Sequence, residues 1–120
     1  MKVAITTSGE SLSAPFNKTF GRSPKFLIYD VNDGSVEIID NKQNLNAAQG
    51  AGIQSAQTVS KAGVQALVSG HCGPKAFRVL AAQGITVYFA DTATVQQALN
   101  AYLNGQLSPS ESADVESHHA

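Results

Sequence analysis

Ala66-Leu67-Val68-Ser69-Gly70-His71-Cys72-Gly73-Pro74-Lys75-Ala76-Phe77-Arg78-Val79-Leu80 runs from a strand through a glycine-bracketed turn into a helix. Ala66 to Ser69 is a short apolar run and reads as a buried strand. Gly70 and Gly73 bracket the turn. Pro74 suits the first helical position, where its missing N–H leaves no hydrogen bond unmade. Ala76, Phe77, Leu80 and Ala81 recur at helical spacing and form the buried face. Gly84 stops the helix. Ile85 to Phe89 is the next apolar run and the next strand. Two short strands joined by one helix make a parallel crossover, which places the chain in the α/β class.

The same grammar extends both ways. Upstream, a helix starts near Gly50-Ala51-Gly52 and runs to Ala62, with Ile53, Ala56 and Val59 as its apolar stripe and Gly63 at its stop. Downstream, Thr94 and Gln97 form a capping-box pattern. Val95, Ala98, Leu99, Tyr102 and Leu103 follow at helical spacing, closed by Gly105. Near the N-terminus, Lys2 to Thr6, Lys25 to Asp30 and Ser35 to Asp40 read as strands. Asn32-Asp33-Gly34 is a hairpin signal, since glycine accepts positive φ. The order βββαβαβα predicts a five-stranded mixed sheet, a β-hairpin followed by helical crossovers, with helices on both faces. That is a ribonuclease H-like architecture, with the fourth strand beside the first. Residues 1–107 form one α/β cofactor-binding domain. Fraying is expected from Gln106 on, and 108–120 is a flexible polar tail carrying His118 and His119.

Composition narrows the function. The chain has 120 residues, 42% hydrophobic and 14% charged, enough for one ordinary core. A formal net charge of −1 offers no global field for nucleic acid or an anionic membrane, so neither is an expected partner. Any attraction for an anion must be local. Cys72 is the sole cysteine, which excludes an internal disulfide and a cysteine-rich metal site. The apolar run at the N-terminus is too short for a secretory signal or a membrane span, so a cytoplasmic location is expected.

The candidate site follows from the turns. In open α/β sheets ligands sit outside the carboxyl ends of the strands, where the strand order switches. The expected crevice is lined by Thr6 to Gly9 and by Gly70 to Gly73. Glycines at Gly50, Gly52, Gly70 and Gly73, with Ala51 between the first two, bring backbone N–H groups of two helix starts toward a ligand. Lys75 sits in a first helical turn, where the dipole disfavours a cation, which suggests a nearby anion. Arg22, after Phe20-Gly21, is placed to clamp one. The long polar stretch from Thr7 to Gly21 reads as an ordered functional loop whose Phe16 and Phe20 need burial. His71 and Cys72 are candidate metal ligands, though two ligands do not complete a zinc site.

Two enzymatic readings compete with binding. Cys72-x5-Arg78 has the spacing of a cysteine phosphatase loop, but Pro74 removes one cradle donor and Val79 replaces the usual hydroxyl residue. A two-metal nuclease needs a carboxylate on the first strand, and Asp30, Asp40 and Asp91 instead end separate strands. A cofactor-free protein-interaction module is a third reading.

Several stretches together resemble the dinitrogenase iron–molybdenum cofactor biosynthesis family. They are the opening strand, Phe20-Gly21-Arg22-Ser23-Pro24-Lys25-Phe26, Gly50-Ala51-Gly52-Ile53-Gln54-Ser55-Ala56, Gly63-Val64, Gly70-His71-Cys72-Gly73-Pro74-Lys75-Ala76 and Gly84-Ile85-Thr86-Val87-Tyr88. The resemblance covers roughly residues 1 to 107. It implies the same mixed sheet and a non-catalytic protein that holds or ferries molybdenum- or iron-containing metal–sulfur clusters to other proteins of cluster delivery or assembly. The cargo it implies is a molybdenum–copper sulfide cluster, as in small stand-alone carriers of this shape, or an iron–molybdenum cofactor precursor. The family often has a histidine before the Phe-Gly and a cysteine after the arginine. Here Thr19 and Ser23 stand in those places, which favours a cluster held by charge and backbone N–H groups. Such a cluster brings its own sulfur ligands. Arg22, Lys75, His71, Cys72 and the turns Gly50 to Gly52 and Gly70 to Gly73 are the site residues expected on both readings, with Phe16, Phe20 and Ile53 excluding water.

Overall fold

The computed structural model describes residues 1–41 and 50–111. Strands β1 (Lys2–Thr7), β2 (Lys25–Asp30) and β3 (Val36–Asp40) precede helix α1 (Ala51–Lys61). Then β4 (Ala66–Ser69), α2 (Pro74–Ala82), β5 (Thr86–Phe89) and α3 (Val95–Leu103) alternate. The five strands form one sheet in the order β3-β2-β1-β4-β5. β1 pairs antiparallel with β2 and parallel with β4, so the sheet is mixed and the fourth strand lies beside the first.

The turns obey the local chemistry. Gly34 takes φ 74° in the β2–β3 hairpin, and Gly63, Gly84 and Gly105 take φ of 77°, 77° and 72° after the three helices. Each helix therefore ends on a residue that enters the left-handed region without steric cost.

Side chains alternate between two cores, one on each sheet face. Ala4, Phe26, Ile28, Leu67 and Val87 face the α1–α2 layer and pack with Ala56, Val59, Ala76 and Leu80. Val3, Ile5, Leu27 and Val68 face the opposite layer and pack with Val95, Ala98 and Leu99 of α3. Full burial of one such aliphatic side chain contributes about 1.5–3 kcal/mol. The apolar spacing overreaches at two helix positions: Ala81 is exposed on α2 and Leu103 is 44% exposed on α3.

The ordered body reaches past residue 107. Pro109 bridges Tyr88 and the Ser110 N–H donates to the Val87 carbonyl at 2.8 Å, so this segment lies along β5 rather than fraying from Gln106. The remainder of the expected tail, with His118 and His119, lies outside the described residues. No described helix is long and apolar enough to cross a membrane.

Candidate functional site

The gap between the carboxyl ends of β1 and β4 is filled by the chain itself. The segment from Pro15 to Phe20 crosses it like a short extra strand. Thr7 pairs with Phe16 and Thr19 with His71 as isolated bridges. The Asn17 N–H donates to the Thr6 carbonyl at 3.0 Å, and the Phe20 N–H to the His71 carbonyl at 3.1 Å. Thr6 Oγ1 donates to the Asn17 carbonyl, and Thr7 Oγ1 donates to the Pro15 carbonyl at 2.8 Å. The two phenyl rings seat the crossing: Phe16 enters the α3-side core and Phe20 the α1–α2 core. Gly70 permits the crossing, because a Cβ there would lie 2.7 Å from the Lys18 carbonyl oxygen.

The ligand-sized space lies one layer away, on the α1–α2 side. A pocket of about 400 Å³ is lined by Thr19, Phe20 and Gly21 of the loop, by Gly50, Gly52 and Ile53, and by residues 73–76. Small residues bring its three walls together. A Cβ on Gly21 would stand 3.1 Å from Gly52 Cα, and one on Gly52 would stand 3.1 Å from Ala76 Cβ. Loop, α1 and α2 therefore converge at their backbones.

Two helices begin at this pocket, and among the described residues neither is capped by a side chain. α1 starts after Gly50 at φ 77°, and α2 after Gly73 at φ −70°. Neither first turn carries an acidic residue. The first N–H groups of a helix have no acceptor within it, and the helix dipole puts partial positive charge there. Lys75 adds a full charge, and among the described residues no carboxylate lines the pocket. Gly73 is open: a Cβ there would meet nothing within 4 Å, and its φ is one any residue adopts. Neither packing nor backbone conformation demands glycine at that position, whereas unobstructed approach of a ligand to the backbone would.

The expected residues divide accordingly. Gly50, Gly52, Gly73 and Lys75 come together at the pocket, Ala51 lies between two lining residues, and Arg22 is exposed next to Gly21. Thr6 and Thr7 are buried under the loop, so the expected lining by Thr6 to Gly9 is corrected: their hydroxyls hold the crossing segment. Gly70 serves that crossing. Phe16 faces the other core, so of the expected water-excluding groups only Phe20 and Ile53 line the pocket. Cys72 is 2% exposed within the α1–α2 core, its Sγ 3.7 Å from the Gly73 carbonyl oxygen. His71 is exposed but outside the lining. Its charge acts instead on Asp91, whose carboxyl is held below its ordinary 3.8 chiefly by the hydrogen bond and charge of Lys18 and to a lesser degree by His71. Lys18 Nζ lies 2.9 Å from Asp91 Oδ1. Neither His71 nor Cys72 is among the residues that line this pocket. Among the described residues no group of three or more histidine, cysteine or acidic side chains is arranged to hold a metal ion.

The residues of the two enzymatic readings are placed as follows. A phosphatase loop needs its thiolate open to substrate, and the Cys72 thiol is packed in the core while Arg78 is exposed on α2. Asp30 lies opposite Lys2 at one end of the sheet and Asp40 opposite Lys25 at the other, so these two carboxylates are not brought together.

Residues 1–105 match the sequence profile described as dinitrogenase iron-molybdenum cofactor. The chain belongs to the dinitrogenase iron-molybdenum cofactor family. It is similar to the apo form of the orange protein from Desulfovibrio gigas, with 34% identity, a TM-score of 0.92, and coverage of 95% of this chain and 96% of that one. A Thermotoga protein of the DUF35 family, whose structure was determined by NMR, is 35% identical at a TM-score of 0.80, covering 90% and 91%. An uncharacterised protein of Methanocaldococcus jannaschii is 34% identical over 110 residues, 89% of each chain. Within this family member, the two departures noted in the sequence occupy different settings. Thr19 lines the pocket, while Ser23 is fully buried, its Oγ accepting from the Thr7 N–H at 3.1 Å.

Sequence reasoning missed Thr19, Gly21, Pro74 and Ala76 as lining residues, and it missed the buried group Ser23, Asn41 and Ser55 beneath the loop. The available signal was the recurrence of small residues: Gly21 beside Arg22, Ala76 beside Lys75, and Gly52 at the start of the first helix.

Proposed function

We propose that this protein is a non-catalytic, cytoplasmic carrier of an anionic molybdenum-containing metal–sulfur cluster, seated where α1 and α2 begin. A molybdenum–copper sulfide cluster is the favoured cargo, and an iron–molybdenum cofactor precursor is the second. The observation that carries this reading is the convergence of two helix N-termini without side-chain caps, plus Lys75, on one pocket that is lined by no carboxylate among the described residues. Family membership supplies the metal chemistry. A thiometallate brings its own sulfur ligands, so it needs charge neutralisation and N–H donors rather than protein thiolates. Phe20, Ile53, Pro74 and Ala76 give the pocket a largely apolar lining that suits a sulfide surface better than a strongly hydrated oxyanion. The N–H groups of Ala51, Gly52, Lys75 and Ala76 would face the cargo, with Lys75 and Arg22 neutralising it. Delivery to another protein would follow from the pocket's openness at the surface.

The test is anaerobic incubation with tetrathiomolybdate and copper, desalting, then metal analysis and an absorption spectrum. Retained molybdenum and copper with visible charge-transfer bands support the reading. A colourless, metal-free protein sinks the mixed-cluster version. Lys75→Ala and Arg22→Ala should each lower retention by about 2- to 5-fold, the scale of an exposed charge contact. His71→Ala should have the smallest effect of the three.

A further inference from the structure

Beneath the pocket lies a polar group that the binding scheme above does not use. Ser23, Asn41 and Ser55 are each fully buried. Asn41 Nδ2 donates to the Ser23 carbonyl at 2.9 Å and to Ser55 Oγ at 3.0 Å. A carbonyl only accepts, so the amide NH2 must face Ser23, and its second hydrogen then goes to Ser55. With its lone pair engaged, the Ser55 hydroxyl is directed toward the Gly21 carbonyl, 3.4 Å away. The Asn41 backbone N–H also holds the Pro24 carbonyl at 2.8 Å.

These bonds converge on one turn. The Ser23 N–H donates to the Phe20 carbonyl at 3.2 Å, which puts Gly21 and Arg22 at the tip. Both feet of the turn are anchored. Phe20 is 1% exposed and its N–H is bonded to the His71 carbonyl, while Ser23 Oγ accepts from Thr7 and donates to the Lys25 carbonyl at 2.8 Å. Asn41, at the end of β3, and Ser55, on α1, are the groups that tie this turn to the helix whose N-terminus opens into the pocket.

We infer that Asn41 and Ser55 are positioning residues, which hold the Phe20–Ser23 turn against α1 so that Gly21 forms the pocket wall and Arg22 is presented toward the cargo. The hydrogen bonds also keep the Ser23 and Gly21 carbonyls turned to the interior, where their negative ends are matched by donors rather than aimed at an anion. This rests on the carrier reading for its cargo.

The test is a double-mutant cycle with tetrathiomolybdate and copper as the probe. Ser55→Ala is made in the wild-type chain and in Arg22→Ala, with thermal melting measured beside retained molybdenum. Loss of one hydrogen bond should lower retention by about 3- to 10-fold in the wild-type background. In the Arg22→Ala background the retention loss should shrink to under half of that, while the melting shift stays the same. A merely structural role would move both readouts equally in both backgrounds, and that result overturns the inference, as does unchanged retention in Ser55→Ala. Asn41→Ser, run through the same cycle, serves if Ser55→Ala does not fold. A wild-type chain that takes up no cluster overturns the carrier reading itself, a different failure from a loaded wild type that is insensitive to Ser55.

Discussion

The three helices of this chain begin in opposite ways. At α3 every early donor is satisfied. The Thr94 side chain accepts from the Gln97 N–H and Gln97 returns the bond to the Thr94 N–H, completing a capping box. The Val95 and Gln96 N–H groups donate to the Ala14 and Leu12 carbonyls of the overlying loop. At α1 and α2 the helices start on Gly50 and Gly73 with no side-chain cap and no acid in the first turn. Among the described residues one helix start is thus sealed, and two are left without a side-chain cap beside the same pocket. A cap is cheap in sequence terms, since one Ser, Thr, Asp or Asn suffices. Its absence at both helix starts beside the pocket, and its presence at α3, is the contrast on which the proposed site rests.

The contrast can be broken most strongly at Gly73. An added side chain has space there and the backbone angles suit any residue. Gly73→Asp should cap α2 and raise stability by about 0.5–1 kcal/mol, through the cap and reduced unfolded-state entropy. The same carboxylate should lower cluster retention by about tenfold or more, because it takes the donors and repels the anion. Stability and binding moving in opposite directions is the signature of an open helix start kept for a ligand. Denaturant titration and retained molybdenum, measured on one preparation, check it.

The reciprocal change is Thr94→Ala. It removes the α3 cap and should cost about 1 kcal/mol in denaturant titration, with cluster retention unchanged. A loss of retention comparable to that of Lys75→Ala would mean that the two ends of the molecule are not independent.

The smallest effect is expected at the exposed pair Lys18–Asp91, close to the pocket loop but outside the pocket. Its side chains are 58% and 87% exposed. Asp91 titrates below 3.8 in the folded chain, so its contribution is present at neutral pH and is lost only as pH falls through that lowered value. Asp91→Asn should leave the melting temperature at pH 7 unchanged within measurement and should leave retention intact. A marked loss of retention would extend the site toward His71.

The strands, hairpin and helix stops were legible because each has a local cause. Gly63, Gly84 and Gly105 all adopt positive φ, and Thr94 and Gln97 form the box that their spacing announces. The two glycine-led helix starts were legible as helix-opening turns for the same reason. The crossing of Pro15 to Phe20 over β1 and β4 was not, because it is decided by distant partners. Thr6 and Thr7 look like ligand-facing residues until Asn17 and Phe20 occupy the gap. Only then does the pocket move from the sheet's edge to the helix layer. Cys72 illustrates the same point: its neighbours in sequence, Gly70, His71 and Gly73, are turn residues, yet it packs with Phe20, Phe26 and Ala76 from other segments. Asn41 directly follows β3, and nothing in its local sequence announces that its amide reaches Ser55 on α1.

The most direct measurement is molybdenum and copper per chain, with the visible spectrum, after wild type and Gly73→Asp have been loaded anaerobically with tetrathiomolybdate and copper and desalted side by side. A coloured, metal-bearing wild type beside a nearly colourless but more stable Gly73→Asp is the predicted result. Equal metal content in the two proteins, or a colourless wild type, would contradict the claim that the open helix starts hold a metal–sulfur cluster.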